Sequence, residues 1–449
     1  TDPVRVTPGE SVVTKPTIRS TGRLSGSWSL NVDSSNLPEG WSWGADHSQI
    51  TGVTIGVGES WNPEITINSP NDALGSDSGF LILELILDSD GNISVSSTLP
   101  VEANRTRGLS LRGPDGTSFS EGYGLLGEKA SAWLIIENVG NAQENQISYT
   151  WDSTNWGSNL ELYNSEGVKE NAIILGPGES KEMTARLSVP TNAEYSESVN
   201  TPLIMCVGSG DEELCQTITL TFIASGVIVE TNHQRSTPSS DLEWTLTADL
   251  PNDKEFLNWS LIDSGMQKQD WNWSTSGQIS IVGNTISITG SPGSRVSGSI
   301  YLELPDSAPP KFHQFEDNEN SSNFVMKFSL EVLQIYRANL AIISPSDMPI
   351  STEIEEETVV ILRLENLGNG EDSYYLTHQI ILNDNITSDP GIIVTFSNNP
   401  VTLGAGSLRT LPIAITIPES TPARVDIGIQ IMMTSMGDSN VEDSKNITI

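Results

Sequence analysis

The sequence LGPGESKEMTARLSVP, residues 175–190, is the clearest copy of a stretch that occurs four times in this chain. The other copies are IGVGESWNPEITINSP (55–70), GSPGSRVSGSIYLELP (290–305) and LGAGSLRTLPIAITIP (403–418). In each copy a glycine and the closing proline are 12 residues apart, and successive glycines are separated by 120, 115 and 113 residues. A spacing this regular predicts four homologous units.

The repeated stretch is predicted to be a turn followed by a strand. Glycine tolerates the positive φ that a tight turn needs, and apolar residues then recur at alternate positions, as in a strand with one buried face. The closing proline cannot donate a ladder hydrogen bond, so it ends the strand or lies on an edge. The paired apolar positions are Ile65 and Ile67, Ala185 and Leu187, Ile300 and Leu302, and Ile413 and Ile415.

The whole chain of 449 residues has the length of about three or four domains. The repeats place the four units at residues 1–104, 105–225, 226–336 and 337–449. Each unit carries about seven short apolar runs with turn signals between them, and no long helical periodicity. This pattern predicts an all-β chain of four tandem seven-stranded immunoglobulin-like (Ig-like) β-sandwich domains, arranged as an elongated array.

Two units share a second motif ahead of the repeated stretch. The second unit has ENVGN at 137–141 and the fourth has ENLGN at 365–369, each with its glycine 38 residues before the repeated glycine. The third unit has Leu250-Pro251-Asn252-Asp253 at this place. The first unit has a proline/glycine turn, LPEGWSW, at 37–43, and DWNWS (270–274) occupies the place of that turn in the third unit. The constant spacing indicates that N-x-G-N and the repeated stretch occupy equivalent positions in the second and fourth units.

These motifs, taken with the repeated stretches that follow them, resemble the Ig-like modules of two families. One is the α-galactosidase-associated "NEW" family, and the other is the cell-adhesion-related CARDB family of prokaryotic surface proteins. The resemblance covers nearly the whole chain and implies extracellular spacers, adhesion or assembly modules, or accessory modules of larger enzymes. Because the motifs are structural, they say more about fold than about activity.

The charge of the chain excludes some partners. Its formal net charge is −36, which disfavours nucleic acid and anionic lipid and favours solubility and the capture of divalent cations. No apolar run reaches the ~18–20 residues of a membrane-spanning helix. The sequence starts without a signal peptide or an initiator methionine, so we expect a mature or excised piece of a longer polypeptide.

The two cysteines, Cys206 and Cys215, flank a short turn in PLIMCVGSGDEELCQTITL. A hairpin centred on that turn places them directly opposite each other, close enough for a disulfide. A disulfide favours an oxidising compartment. The alternative is a pair of buried free thiols.

No motif identifies a reaction. The four histidines, His47, His233, His313 and His378, lack the spacing of a zinc site, and the sequence contains no nucleophile elbow and no phosphate-binding loop. Acidic residues are abundant, but without geometry no pair can be singled out for acid/base chemistry. We therefore expect no enzymatic activity.

Asp88, Asp90 and Asn92 resemble the start of a calcium-binding loop. Glycine stands at the fourth position, between Asp90 and Asn92, and no glutamate follows at the twelfth, so the full loop is absent. Calcium bound here would stiffen the junction between domains. The alternative is an ordinary polar hairpin turn.

Two W-x-W pairs, Trp41 with Trp43 and Trp271 with Trp273, suggest a stacking platform for sugars. The alternative is a core tryptophan with a second ring that covers the edge of the sandwich. Glycosylation sequons provide a further set of candidate sites, and they occur at Asn92, Asn104, Asn258, Asn272, Asn320, Asn385 and Asn446.

The sequence therefore favours a non-catalytic extracellular structural or interaction protein. Such a chain would be a segment of a cell-surface stalk, coat or filament subunit, and would associate with itself or with other surface proteins. The alternative is a carbohydrate-binding or spacer region of a larger secreted enzyme or adhesin. The discriminating observation is whether the tryptophan rings are exposed.

Overall fold

The computed structural model describes residues 2–21, 25–210, 213–260, 271–316, 324–345, 349–381, 391–419, 421 and 426–449. This part of the chain is almost entirely β, and its single helix is α1, His47–Ile50. Contacts divide the chain into two compact units, Thr1–Ala224 and Ser225–Ile449. The predicted all-β class is confirmed.

Buried apolar side chains of the described residues form four hydrophobic clusters, two in each unit. The first cluster draws on residues 6–103 and the second on 109–224, and the third and fourth draw on 227–332 and 340–449.

The first cluster lies between sheets of unequal size. The strands around it are β1 (Val4–Val6), β2 (Ser11–Thr14), β3 (Ile18–Arg19), β4 (Gly26–Asp33), β5 (Ser42–Gly44), β6 (Val53–Ile55), β7 (Ser60–Trp61), β8 (Ile65–Asn68), β9 (Ser78–Leu87) and β10 (Asp90–Ala103). The larger sheet has the order β1-β10-β9-β4-β6, with β1 parallel to β10, and the smaller sheets are β2-β8-β5 and β3-β7. Ile65 and Ile67 from β8 pack in the same cluster as Leu81 and Val101 of the larger sheet.

The second cluster is enclosed by the path β15-β17-β13-β12-β19-β18-β14-β16, with β11 paired to β13. The strands are β11 (Ser110–Arg112), β12 (Phe119–Gly124), β13 (Lys129–Glu137), β14 (Glu144–Trp151), β15 (Glu161–Asn164), β16 (Ile173–Leu175), β17 (Ser180–Ser188), β18 (Ser198–Val207) and β19 (Leu214–Ala224). Cys206 lies directly opposite Cys215 across β18 and β19, and the two form a disulfide. The predicted cross-strand disulfide is therefore confirmed.

The second unit also has strands around two clusters, but here they form separate sheets. Around the third cluster are β20 (Val227–Glu230), β21 (His233–Ser236), β22 (Asp241–Asp249), β23 (Phe256–Ser260), β24 (Asn272–Gly277), β25 (Ile279–Val282), β26 (Thr285–Thr289), β27 (Arg295–Glu303), β28 (Lys311–Glu316) and β29 (Lys327–Val332). Around the fourth are β30 (Ala338–Ser344), β31 (Glu357–Asn366), β32 (Asp372–Ile381), β33 (Ile393–Phe396), β34 (Val401–Leu403), β35 (Leu408–Thr416), β36 (Gly428–Ser435) and β37 (Glu442–Thr448). Their main sheets are β20-β22-β27-β24, β30-β31-β35-β33 and β34-β32-β36-β37.

The repeated stretch is a glycine turn followed by a strand in all four places, as predicted. The strands are β8, β17, β27 and β35, and they pair antiparallel with β2, β13, β22 and β31, respectively. All four turn glycines have positive φ, and all eight predicted inward residues are buried. The glycines are Gly58, Gly178, Gly293 and Gly406.

On the outer face of the second cluster, Glu161 lies among cations. Lys129, Lys169 (2.9 Å to Oε1) and the Tyr163 hydroxyl (2.9 Å to Oε2) all donate to its carboxylate. These bonds, led by the one from Lys129, lower the pKa of Glu161 to about 2. The Arg186 guanidinium lies 4.3 Å from the centre of the Tyr163 ring.

Substitution of Gly58 by alanine tests the turn. No heavy atom lies within 4 Å of a Cβ placed there, so the penalty comes from its positive φ (78°) alone. We expect the free energy of unfolding to fall by ~1–2 kcal/mol in guanidinium titrations. The matched control is Gly44→Ala, which has equally open surroundings without positive φ and should change stability little. Equal losses in the two variants would contradict the explanation.

The charge cluster predicts an acid-dependent loss of stability. Because the pKa of Glu161 in the folded protein is below its ordinary value of 4.5, its contribution is complete above that value and disappears as the pH falls through about 2. Glu161→Gln should therefore lower the free energy of unfolding by roughly 0.2–1 kcal/mol at neutral pH, which is what an exposed ion pair usually contributes. At the lowest pH the substitution should have no effect. Urea titrations across this range measure the difference, with the exposed Glu166→Gln as control. A cost that does not depend on pH would rule out the ionic origin.

Candidate functional site at the joints within each unit

The first asparagine of the N-x-G-N motif ties the end of β13 to the repeated glycine turn. Asn138 is fully buried, and its Nδ2 donates to the carbonyl oxygens of Ala142 (2.8 Å) and Leu175 (3.1 Å). Its Oδ1 accepts from the N–H of Gly140 (3.0 Å), and its backbone carbonyl accepts from Gly178 (2.9 Å). Both donors and the oxygen of the carboxamide are thus satisfied inside the protein, as burial requires.

Asn366 makes the same contacts in the second unit. Its Nδ2 donates to the carbonyl oxygens of Gly370 (2.8 Å) and Leu403 (3.0 Å), and its Oδ1 accepts from Gly368 (2.8 Å). The constant spacing of 38 residues between the two motifs therefore has a physical cause, because the asparagine bonds directly to the segment that forms the turn.

The second asparagine of the motif joins two hydrophobic clusters. Asn141 Nδ2 donates to the carbonyl oxygens of Ala73 (3.2 Å) and Asn104 (2.8 Å), and its Oδ1 accepts from the N–H of Thr106 (2.7 Å). The N–H of Gly75 donates to the backbone carbonyl of Asn141 (2.7 Å). Ala73 belongs to the first cluster, and Asn104 follows β10. The Asn141 side chain therefore links the last strands around the first cluster to the first residues of the segment around the second.

Asn369 repeats this arrangement between the third and fourth clusters. Its Nδ2 donates to the carbonyl oxygens of Ala308 (2.9 Å) and Leu333 (3.0 Å), and its Oδ1 accepts from the N–H of Ile335 (2.6 Å). The partners occupy the same places as those of Asn141. We call the contacts of Asn141 and of Asn369 the two asparagine joints.

Each joint takes one acceptor from the turn after the repeated strand. Ala73 donates its N–H to Pro70 O (3.2 Å), and Ala308 donates to Pro305 O (3.1 Å). Both turns present the alanine carbonyl to the asparagine. Reasoning from the sequence missed this acceptor, although a signal exists: alanine occurs three residues after the closing proline in three of the four copies.

The third cluster lacks the asparagine pair. Leu250 takes the place of Asn138, with its N–H bonded to Ser294 O (2.9 Å) as Asn138 N–H is bonded to Glu179 O (3.0 Å). Asp253 stands where the second asparagine would be, and a carboxylate cannot donate to two carbonyl groups. Both asparagine joints lie inside the compact units, one in each.

A buried carboxylate strengthens the first joint. Arg107 Nη1 donates to both carboxylate oxygens of Glu144 (2.9 and 2.7 Å), and Arg105 Nη2 lies 3.1 Å from the same group. Arg105 also donates to Gln143 O (2.9 Å). Both arginines come from the segment between the clusters, so charge-assisted bonds hold that segment against the second cluster.

The second joint has no arginine–carboxylate pair in these places and uses other hydrogen bonds. Gln334 replaces Arg105, and its Nε2 donates to Glu371 O (2.7 Å). Asp372 replaces Glu144 and accepts from Ser435 Oγ (2.7 Å). Burial and the neighbouring Asp372 carboxylate raise the pKa of Tyr374, whose hydroxyl donates to Arg337 O (3.1 Å).

The predicted calcium residues lie where β9 gives way to β10, with Asp88 between the two strands. Asp88 accepts from Ser27 Oγ (2.5 Å) and Ser29 Oγ (2.6 Å), which lowers its pKa. Asp90 begins β10, and the side chain of Asn92 lies outside the described part of the chain. Calcium binding here stays a prediction.

A group of three possible metal ligands consists of Cys206, Cys215 and Glu213. Both cysteines are in the disulfide, so their sulfurs are not thiolate ligands.

The W-x-W tryptophans pack in or against the cores. Trp41 and Trp271 are buried, and Trp43 and Trp273 are half-buried against the first and third clusters. Trp273 stacks on the buried Trp244 with ring centroids 6.0 Å apart. A buried ring presents no face to a sugar, so Trp41 and Trp271 cannot serve as the predicted platform.

The sequons differ in accessibility. Asn258, Asn272 and Asn446 are exposed, whereas Asn104 is half-buried and donates to Thr7 Oγ1 (3.1 Å). Asn320 and Asn385 lie outside the described residues. The occupancy of the sequons stays a prediction.

Known protein families and curated proteins offer no match to this chain. Among solved structures, it is similar to extracellular cadherin domains 1–4 of protocadherin gamma B7, with 15% identity, all of both chains covered and a TM-score of 0.25. It is also similar to domains EC3–6 of protocadherin gammaB7 in a cis-dimer structure, with 11% identity, 100% and 98% coverage and a TM-score of 0.30.

A family 123 glycoside hydrolase from Clostridium perfringens is similar over 29% of this chain, with 12% identity and a TM-score of 0.21. The matched part of the chain spans 30% of the hydrolase. At these identities and TM-scores, the similarities carry no functional information. In the described part of the chain, no helix has the length and apolar character that a membrane crossing takes.

Replacement of Asn141 by alanine should open the first joint. It removes three hydrogen bonds and leaves two carbonyls and one N–H unsatisfied, so we expect a loss of ~1–3 kcal/mol in the free energy of unfolding. Amide hydrogen exchange at Thr106 and Gly75 should accelerate, and denaturant titration measures the stability.

The control for this variant is Asn192→Ala, an exposed asparagine in the turn that follows the second repeated strand. It should change neither stability nor exchange at the joint. Unchanged exchange at Thr106 in Asn141→Ala would show that the asparagine does not hold the two clusters together.

Proposed function

We propose that this chain is a non-catalytic extracellular structural or interaction protein built of four tandem Ig-like domains, as a segment of a cell-surface stalk, coat or filament subunit. The observation that carries the proposal is the asparagine joint, which recurs with the same atoms in both units. A joint that fixes one folded module to the next has a clear use in a protein that holds its modules at set positions. It has no evident use in a set of independently acting domains.

Two further observations support the extracellular part of the proposal. The Cys206–Cys215 disulfide is of a kind that persists in oxidising compartments. The net charge of −36 favours solubility and disfavours nucleic acid as a partner. The resemblance to NEW and CARDB modules, which rests on the joint and turn motifs, points to the same location.

The carbohydrate-binding alternative receives less support. Its best candidates were the paired tryptophans, and two of these four rings are buried in the cores.

Antibody labelling of the cells that produce this protein tests the proposal. We expect an antibody raised against the purified chain to label intact cells as strongly as permeabilised ones, because the chain is outside the membrane. An antibody against a cytoplasmic protein is the control and should require permeabilisation. Labelling that appears only after permeabilisation would overturn the extracellular role.

A further inference from the structure

The second asparagine joint contains a chemically labile dipeptide. Asn369 is followed by Gly370, and this is the only Asn-Gly pair in the 449 residues. Asparagine is one of the thermolabile residues of proteins. A following glycine favours its degradation, because no side chain hinders the approach of the glycine nitrogen to the carboxamide. In the first joint the corresponding pair is Asn141-Ala142.

Packing against the turn after the repeated strand explains why this glycine is present. In the first joint, a Cβ added to Gly75 would lie 2.9 Å from Ala142 Cβ. In the second, Pro310 stands in place of Gly75, five residues after the closing proline in both copies. A Cβ added to Gly370 would lie 2.8 Å from Pro310 Cγ. The small residue is therefore on the opposite side of the same contact, which creates an Asn-Gly pair at the second joint.

The second joint is also held by fewer strong bonds than the first. The N–H of Gly75 donates to Asn141 O (2.7 Å), whereas Pro310 has no N–H and cannot make this bond. Arg107 makes a charge-assisted pair at the first joint, and Tyr336 stands in its place at the second. Because charge-assisted bonds are the stronger kind, we expect the second joint to open more often than the first.

The closed joint protects Asn369 from degradation. Its Nδ2 donates to Ala308 O and Leu333 O, and its Oδ1 accepts from the N–H of Ile335. Both ends of the carboxamide are thus fixed, and it cannot turn toward the nitrogen of Gly370. The side chain is also buried, with 7% of Asn369 exposed, so water has little access. Degradation requires the joint to open, and its rate therefore depends on how often opening occurs.

We propose that Asn369 is a deamidation site at which opening of the second joint becomes irreversible. In the open joint, the backbone nitrogen of Gly370 attacks Cγ of Asn369. The new Cγ–N bond forms, the Cγ–Nδ2 bond breaks, and Nδ2 leaves as ammonia with the proton of the Gly370 N–H. Water then adds to either carbonyl of the resulting succinimide and yields aspartate or isoaspartate.

The product cannot close the joint again. A carboxylate has no hydrogen to donate to the carbonyl oxygens of Ala308 and Leu333, and its charge is repelled by them. The link between the third and fourth clusters is then lost for the life of the molecule, whereas the first joint, with Asn141-Ala142, persists.

Ageing of the purified 449-residue chain in mildly alkaline buffer tests the proposal. Peptide mass spectrometry should find deamidation at Asn369 before any at Asn141. Hydrogen exchange at Ile335 should accelerate in the aged chain, while exchange at Thr106 should not. In guanidinium chloride, where no joint forms, Asn369 should react at least ~10-fold faster than in the folded chain, because the bonds of the joint no longer hold it. Equal rates in the folded and unfolded chain would overturn the proposal.

A variant with a weakened joint shows whether opening controls the rate. Gln334→Ala removes the bond from Nε2 to Glu371 O (2.7 Å) and leaves the Asn-Gly pair intact. Deamidation of Asn369 in the folded chain should rise ~2–10-fold, as expected for the loss of one hydrogen bond. The matched control is Gln379→Ala, an exposed glutamine of β32, which should react as the parent does. No acceleration in Gln334→Ala would contradict control by the joint.

Ala142→Gly places a second Asn-Gly pair in the first joint of the same molecule. Asn141 and Asn369 should then deamidate at similar rates in guanidinium chloride, but Asn141 should react more slowly in the folded chain. Equal or faster reaction of Asn141 in the folded chain would show that the second joint is not the one that opens. Circular dichroism should show the variant folded, and ageing of the parent chain decides the proposal without any substitution.

Discussion

The structure depends on the need to satisfy backbone hydrogen-bonding groups where strands end inside a packed protein. A buried N–H or carbonyl without a partner costs free energy that a marginally stable domain can hardly lose. Asparagine meets this need because its carboxamide carries two donors and an acceptor on a short side chain. Asn138 and Asn366 use these groups within one cluster, and Asn141 and Asn369 use them between clusters.

Much of the fold could be predicted from the sequence because its determinants are local. The alternation of Ile65 and Ile67, the glycine at the start of each repeated strand and the pairing of Cys206 with Cys215 all act over a few residues. The role of Asn141 could not be predicted, because its partners Ala73 and Asn104 lie 68 and 37 residues away in sequence. The motif could be identified from the sequence, but the groups to which it bonds depend on how the strands are brought together.

The candidate ligand sites show a different limit of sequence reasoning. An alternating W-x-W pattern is the same whether the rings face solvent or a core, and only packing distinguishes the two. Trp271 and Trp41 are buried among aliphatic and aromatic neighbours. Likewise, the acidic turn at Asp88 has the composition of a cation site, while its carboxylate is bonded to two serine hydroxyls of β4. Composition alone does not reveal such competing partners.

Asn104 takes part in the first asparagine joint and is also the first residue of a candidate glycosylation sequon. It is the acceptor residue of an N-x-T sequon, and its carbonyl and the N–H of Thr106 are both bound by the side chain of Asn141. The Asn104 side chain, which would carry the oligosaccharide, is half-buried and donates to Thr7 Oγ1. Once residues 105–141 have emerged from the ribosome and folded, the joint holds the sequon rigid. In a host that glycosylates, oligosaccharide would therefore have to be attached to Asn104 before the joint forms, while the chain is still being made.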